Sequence, residues 1–306
     1  MIKHQAFQGV AEREGRADAV ASSLFSLSRS VFSKTSLVLR INGKSSKKSA
    51  KVHIGDKIEL EYDEEVFEGL EAEDIELNIL YEDDDMLVID KAQGMCVHPG
   101  AGSYSGTVAN ALLSMYGDDF SVGDDDTRPG IVHRLDKDTS GVMVIAKNAN
   151  ALKNLSQQFA EHSNEKYYSA IVKGEFAIPS GEIDKNITRD RVDRKKFTVT
   201  DNKQEGKNAL TRYRVVESKN GYSLLSIRIL TGRTHQIRVH LASIGHPVLG
   251  DPIYSKRDSR FPDATLMLNS AKLTISHPTS GERMTFKSSL PERFIAVLDS
   301  LGISYK

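Results

Sequence analysis

Five apolar runs of strand length follow one another beyond residue 75: Met86 to Ile89, Val142 to Ala146, Tyr167 to Val172, Thr211 to Val216 and Leu224 to Leu230. Helical spacing is confined to two stretches. Ala151, Leu152, Leu155 and Phe159 form one face after Asn148 or Asn150, and Ile237, His240, Leu241 and Ile244 form another. For the second, Thr234 is the expected N-cap, Gly245 the expected end, and Pro247 follows. Strands and helices do not alternate strictly. The pattern therefore predicts an α+β fold with a mixed or antiparallel sheet rather than a doubly wound one.

The beginning of the chain reads as a separate unit. Ala17, Val20, Ala21, Leu24 and Leu27 keep helical spacing, and Ser28 or Ser30 can cap a second helix holding Val31 and Phe32. Asn42-Gly43 signals a turn, and Ile58, Leu60 and Tyr62 alternate as a strand after Gly55-Asp56. The polar, acidic stretch from Asp63 to Asp74 reads as a linker. These features divide the chain into a small basic α/β unit with its linker, residues 1–72, and a larger domain, residues 73–306.

Net charge is −1, which by itself argues against a nucleic-acid partner. The average hides segregation. From Ser28 to Lys57 there are eight Lys/Arg and one acid, from Asp63 to Asp90 thirteen acids and no Lys/Arg, and from Asp184 to Arg214 ten Lys/Arg and five acids. Arg29, Lys34, Arg40, Lys44, Lys47 and Lys48 in the first patch, and Arg194, Lys195 and Lys196 in the last, are candidate phosphate-binding residues. The plainer alternative is that they are solvated faces. Cys96 is the only cysteine, so no intrachain disulfide forms and cysteine-based zinc sites are excluded. No apolar run approaches the roughly 20 residues of a membrane span. The opening MIKHQAFQGV lacks the basic-then-apolar pattern of a signal peptide, so a reducing cytoplasm is the expected location.

Three segments carry chemistry. In GIVHRLDKDTSGVMVIAK, Gly130 to Lys147, the turn formers Asp138, Thr139, Ser140 and Gly141 place Asp136 in a loop at the mouth of a strand, beside His133, Arg134 and Lys137. A carboxylate among cations stays ionised and suits nucleophilic attack or proton abstraction. The alternative is a surface salt bridge. In LTGRTHQIRVHLASIGHPVLGDPIY, Leu230 to Tyr254, Arg233 lies just before a helix N-terminus, where it can grip a phosphate or carboxylate, or pair with an acid to fix the turn. Both hold if that acid is Asp136. In EKYYSAIVKGEF, Glu165 to Phe176, Tyr168, Ala170 and Val172 share a strand face, so Tyr168 is either a core residue or one that stacks on a base.

The run His133-Arg134-Leu135-Asp136-Lys137-Asp138-Thr139-Ser140-Gly141 resembles the signature of the RluA/RluD family of pseudouridine synthases. Lys166-Tyr167-Tyr168-Ser169-Ala170 and Gly232 to His240 resemble that family's second and third motifs. Tyr81-Glu82-Asp83, Val97-His98-Pro99-Gly100 and His277-Pro278-Thr279-Ser280-Gly281 also fit, so the similarity spans roughly residues 75 to 295. The N-terminal unit is similar to the RNA-binding module named after ribosomal small-subunit protein four, through Arg16, Asp18, Ser28-Arg29-Ser30, Asn42-Gly43 and Gly55-Asp56.

The resemblance implies a mixed, mainly antiparallel central sheet with the active cleft across it. It implies Asp136 as the essential carboxylate, Tyr168 packed against the target base, and Arg233 paired with Asp136 at the uridine site. Arg134 and Leu135 would complete the substrate pocket. The partner would be RNA, with large-subunit ribosomal RNA expected and transfer RNA the alternative. A monomer is expected, with no cofactor and no metal, because isomerisation neither gains nor loses atoms. Three positions depart from the family pattern: Ala92 where Pro is usual, Asn269-Ser270 where His-Ala is usual, and the small Ala17.

Two other classes compete. One is a non-catalytic RNA-binding or ribosome-assembly protein, which would have little need for Asp136, Tyr168 and Arg233 together. The other is a metal-dependent hydrolase built from His133, Asp136, His235, His240 and Asp251, but His235 and His240 are five apart and share no helix or strand face.

Overall fold

The computed structural model describes residues 2–65, 69–100, 103–117, 120 and 127–305. They form two compact units, divided between Gly69 and Leu70.

In the first unit the strand Lys57–Glu65 pairs antiparallel with Ile2–Val10 on one side and with Val38–Ile41 on the other. Val38–Ile41 turns into Lys44–Ser45 through Asn42 and Gly43, both at positive φ, +52° and +75°. That backbone is the turn an Asn-Gly pair favours. Ile58, Leu60 and Tyr62 alternate into a core shared with Val20, Ala21, Phe32 and Leu39. Ala17 is fully buried there, so its small side chain fills an interior place.

The helix spans Ala17–Leu24 and does not reach Leu27 as the spacing predicted. The chain reverses at Ser26, whose φ is +54°, and Ser22 Oγ donates to Leu27 O at 2.6 Å. The second helix is a short 3₁₀ turn, Arg29–Ser33, capped by Ser28. The acidic segment is also less linker-like than expected. Its first residues continue the strand, where Asp63 Oδ1 lies 3.0 Å from His4 Nδ1 across the pair and Glu64 pairs with Lys34.

The second unit is built on a nine-stranded sheet. Along its edge-to-edge path the strands run Ser180–Asp184, Leu210–Lys219, Tyr222–Ile229, Glu165–Lys173, Leu268–Ser276, Ser140–Ala146, Met86–Lys91 and Ile79–Glu82, and Arg283–Lys287 pairs beside Leu268–Ser276. Every pairing is antiparallel except Ser140–Ala146 with Leu268–Ser276, where Ser140 meets Asn269 and Gly141 meets Ser270. The α+β class with a mixed, mainly antiparallel sheet is what the sequence predicted.

Ser140–Ala146 is buried along its whole length because both sheet faces are covered. Val142, Val144 and Ala146 pack with Ala151 and Leu155 of the helix Ala149–Ala160, which Asn148 caps. Met143 and Ile145 point the other way, into the main core with Leu112, Ile171, Leu225 and Phe294. The strand entering from the Asp136 loop is thus clamped between two cores. Among the described residues no helix is long and apolar enough to cross a membrane.

Candidate active site

The loop carrying Asp136 is fixed from behind. Thr139 N–H donates to Asp136 O at 3.0 Å, closing a turn. Lys91, almost wholly buried, donates from Nζ to three carbonyls: Ala92 and Met95 at 2.8 Å and Lys137, next to Asp136, at 3.1 Å. Burial lowers the Lys91 ammonium to about 8. Gln93 Nε2 donates to Asp138 O and Leu266 O, at 2.8 and 2.9 Å.

Where the loop joins the sheet, Gly141 has φ +112°, and a β-carbon there would sit 2.3 Å from Ser270 O. Only glycine lets the two parallel backbones meet at that point. The unusual Asn269-Ser270 pair lies here. Ser140 Oγ donates to Asn269 Oδ1 at 2.5 Å, and Ser270 Oγ donates to Val142 O.

His133 is part of this support rather than of the chemistry. Its Nε2 accepts from Val144 N–H at 3.1 Å, and its ring stacks on Phe159 with centroids 4.4 Å apart. Burial, helped by the Lys166 charge, pushes its pKa down to about 3, so it stays neutral.

The other wall comes from the turn before the helix Gln236–Ser243. The N-cap is His235, not Thr234, and it has left-handed backbone with φ +56°. The reason is Gln236. Its Oε1 accepts from Arg233 N–H and Thr231 Oγ1, while its Nε2 donates to Leu210 O and Thr211 Oγ1. One buried amide therefore locks the whole turn and starts the helix one residue late.

That register decides which arginine meets the carboxylate. Arg238, in the helix's first turn, donates from Nη1 to Asp136 Oδ2 at 3.1 Å. The expected pairing of Arg233 with Asp136 is corrected: Arg233 donates from Nε to Asn208 O at 3.0 Å and lines the cleft from the preceding turn. Arg238 is itself held by Asp251, with Nε to Oδ2 at 2.7 Å and Nη2 to Oδ1 at 2.9 Å. Burial disfavours both charges. The mutual contacts outweigh it, raising Arg238 above and holding Asp251 below the ordinary value. Asp251 was not recognised as part of the site from sequence, beyond its place in the metal-ligand alternative.

His235 Nε2 lies 3.8 Å from the same Oδ2. Among the described residues the hydrogen bond to the Asp136 carboxylate ends on Oδ2, and Oδ1 accepts none.

The cleft in front of Asp136 holds about 550 Å³ of space, partly open to solvent. Leu135, Tyr168, Ile229 and Leu268 give it apolar surface, and Arg134, Arg233 and His235 give it polar surface. The four expected pocket residues, Arg134, Leu135, Tyr168 and Arg233, are thus brought together with Asp136. Tyr168 is buried, and that burial together with the Asp136 charge raises its hydroxyl pKa. Arg134 is exposed at the rim, 3.4 Å from His98 Nε2.

The candidate phosphate-binding residues divide by unit. In the first, Lys34 pairs with Glu64 and Arg40 with Glu61, while Arg29 lies 3.8 Å from Asp18. Lys44, Lys47 and Lys48 are exposed in and after the Lys44–Ser45 strand. In the second, Arg194, Lys195 and Lys196 sit at the turn of a hairpin, Asn186–Arg189 with Phe197–Thr200. The five metal-ligand candidates do not converge. His240 Nδ1 pairs with Thr211, and among the described residues no group of three or more His, Cys, Asp or Glu is placed to hold a metal ion.

Comparison with known proteins decides the family. Residues 85–243 match the family model described as RNA pseudouridylate synthase. An "Uncharacterized RNA pseudouridine synthase" of Aquifex aeolicus (strain VF5) is 47% identical over 84% of this chain and 83% of its own. The chain belongs to the RluA/RluD-type RNA pseudouridine synthases. It is an isomerase acting on RNA. A "Ribosomal large subunit pseudouridine synthase D" of Borreliella burgdorferi is 42% identical over 85% of this chain and 80% of the relative. Among solved structures, human RNA Pseudouridylate Synthase Domain Containing 4 superposes with a TM-score of 0.60 at 25% identity, over 74% of this chain and 94% of that one. The matched synthase region contains Asp136, Tyr168, Arg233 and Arg238, and Asp251 lies just beyond it.

Proposed function

We propose that this synthase converts one or more uridines of large-subunit ribosomal RNA to pseudouridine, with Asp136 as the reacting carboxylate. The observation that carries this is the one-sided grip on Asp136: Arg238 and His235 both approach Oδ2, and Oδ1 is left for the substrate. The target nucleotide leaves its stack, at a cost of a few kcal/mol, and enters the cleft. Tyr168 and Leu135 flank the base, and Arg134 and Arg233 meet the phosphates beside it. Three routes are open to the carboxylate: attack on C1′ with departure of uracil, removal of the C2′ proton with elimination of uracil, or attack on C6 of the base. In each, the N1–C1′ bond breaks, the uracil turns within the apolar walls, C5 joins C1′ and gives up its hydrogen as a proton, and N1 takes up a proton. A primary deuterium isotope effect at C2′ belongs to the elimination route alone.

The ribosomal substrate is supported by relatives named for the large subunit. The first 72 residues, similar to the small ribosomal-protein-four module, serve as an RNA-binding domain through Lys44, Lys47 and Lys48. The remainder, residues 73–306, is the catalytic domain. The enzyme works as a cytoplasmic monomer.

The test is tritium release from [5-³H]uridine-labelled, unmodified large-subunit ribosomal RNA by wild type and Asp136→Asn. Release by wild type alone supports substrate and residue together. Release by both removes Asp136 from the centre of the reaction. No release from ribosomal RNA, with release from transfer RNA, overturns the substrate.

A further inference from the structure

His235 keeps a left-handed backbone, φ +56°, a conformation uncommon for residues with a β-carbon although His visits it more than most. Here the surroundings grip the ring. Its Nδ1 lies 2.9 Å from the Tyr254 hydroxyl, its edge meets the rings of Tyr254 and Phe197 at centroid distances of 5.6 and 5.5 Å, and its Nε2 lies 3.8 Å from Asp136 Oδ2. The charged groups acting on it are Asp136 and Asp251 against Arg238 and Arg134, two of each sign.

The hydrogen bonds around Tyr254 fix which nitrogen carries the proton. Phe197 N–H donates to the Tyr254 oxygen at 2.8 Å. A hydroxyl has one proton to give, and His235 Nδ1 is the acceptor in reach. If Nδ1 were protonated instead, the oxygen would accept twice and its own proton would have no partner among the described residues. Nδ1 therefore accepts, and the single ring proton sits on Nε2, on the Asp136 side.

We propose that His235 is a positioning residue: its Nε2–H, set by Tyr254, faces Oδ2 of Asp136 at 3.8 Å, longer than a hydrogen bond, and adds its dipole to the Arg238 charge on that oxygen so that Oδ1 is presented to the ribose. The hydrogen bonds through Tyr254 link the basic hairpin to the His235 ring. Arg194, Lys195 and Lys196 immediately precede Phe197, the residue that anchors Tyr254, and the Arg189 guanidinium lies 5.3 Å from the Phe197 ring centre. The role rests on Asp136 being the reacting group, whereas the tautomer does not.

Two measurements test it. In the imidazole ¹H–¹⁵N spectrum of the full-length protein, His235 shows the Nε2–H tautomer, and Tyr254→Phe turns it into a mixture. In turnover of ribosomal RNA, Tyr254→Phe lowers kcat by about tenfold with KM within about twofold, the pattern of a misplaced reacting group. His235→Asn, a residue that tolerates left-handed backbone, gives the same split and guards against simple misfolding. An Nδ1–H tautomer in wild type overturns the proposal, as does an unchanged kcat in either variant. Full activity in Asp136→Asn overturns the positioning role together with the catalytic reading, and leaves the tautomer to the spectrum.

Discussion

Arg238 reaches Asp136 because Asp251 holds it: two nitrogens of the guanidinium are taken by the Asp251 carboxylate, and the third, Nη1, projects to Oδ2 of Asp136. Both Arg238 and Asp251 are buried, so neither tolerates losing the other. Asp251→Asn leaves a buried guanidinium half-compensated, and a loss of about 3–5 kcal/mol is expected in urea unfolding, with a fall in kcat. Arg233→Ala, which gives up a carbonyl hydrogen bond at a half-exposed turn, is expected to cost about 1 kcal/mol or less. Equal losses for the two variants would contradict this division of labour.

His133 makes stability depend on pH. Its folded pKa, about 3, lies well below the roughly 6.5 of an unfolded chain, so between those values the unfolded state holds the extra proton. The stability it contributes is complete above about pH 6.5 and is lost as pH falls toward 3, at up to about 1.4 kcal/mol per pH unit. His133→Gln keeps an acceptor for Val144 N–H and should flatten that slope. Denaturant titrations at pH 5, 6 and 7 read the difference.

Lys91 should matter for turnover although it is far too buried to touch RNA. Lys91→Met strips three carbonyls of their donor, each costing about 1–3 kcal/mol, and frees the loop beside Asp136. The expected result is a lower melting temperature and a kcat reduced by about tenfold or more, with KM for RNA little changed. A fall in stability with normal kcat would show that the loop keeps its shape without the ammonium.

If the hairpin cations meet phosphate, alanine at Arg194, Lys195 and Lys196 weakens RNA binding and lowers the salt-dependence slope by about 0.7 for each phosphate no longer neutralised. Alanine at Lys44, Lys47 and Lys48 tests the first unit in the same way. Weaker binding with an unchanged slope would assign these residues a structural role instead.

The sheet was readable because its central strands are apolar runs with turn residues between them, as at Val142 to Ala146. The strand Ile2–Val10 was not, since it pairs on one side only and shows almost no buried face. The Asp136 loop was legible from Thr139, Ser140 and Gly141. The arginine opposite was misassigned because Gly232 to His240 offers two, and the choice between Arg233 and Arg238 depends on where the helix starts. That register comes from the Gln236 side chain reaching Leu210 and Thr211, a link across 25 residues that no local pattern reports. The Tyr254–His235 pair was hidden for the same reason, since each residue looks ordinary until the hairpin closes over them.

The single parallel pairing has a consequence for synthesis on the ribosome. Asp136, Tyr168, His235 and Arg238 have all been synthesised by the time residue 243 is made, yet the strand that backs Ser140 and Gly141 begins at Leu268, and Arg293, which donates to Ser140 Oγ at 2.6 Å, comes later still. Closing so long a loop carries an entropic cost that local pairings do not. The carboxylate loop therefore gains its backing only after the Leu268–Ser276 strand and Arg293 have been made.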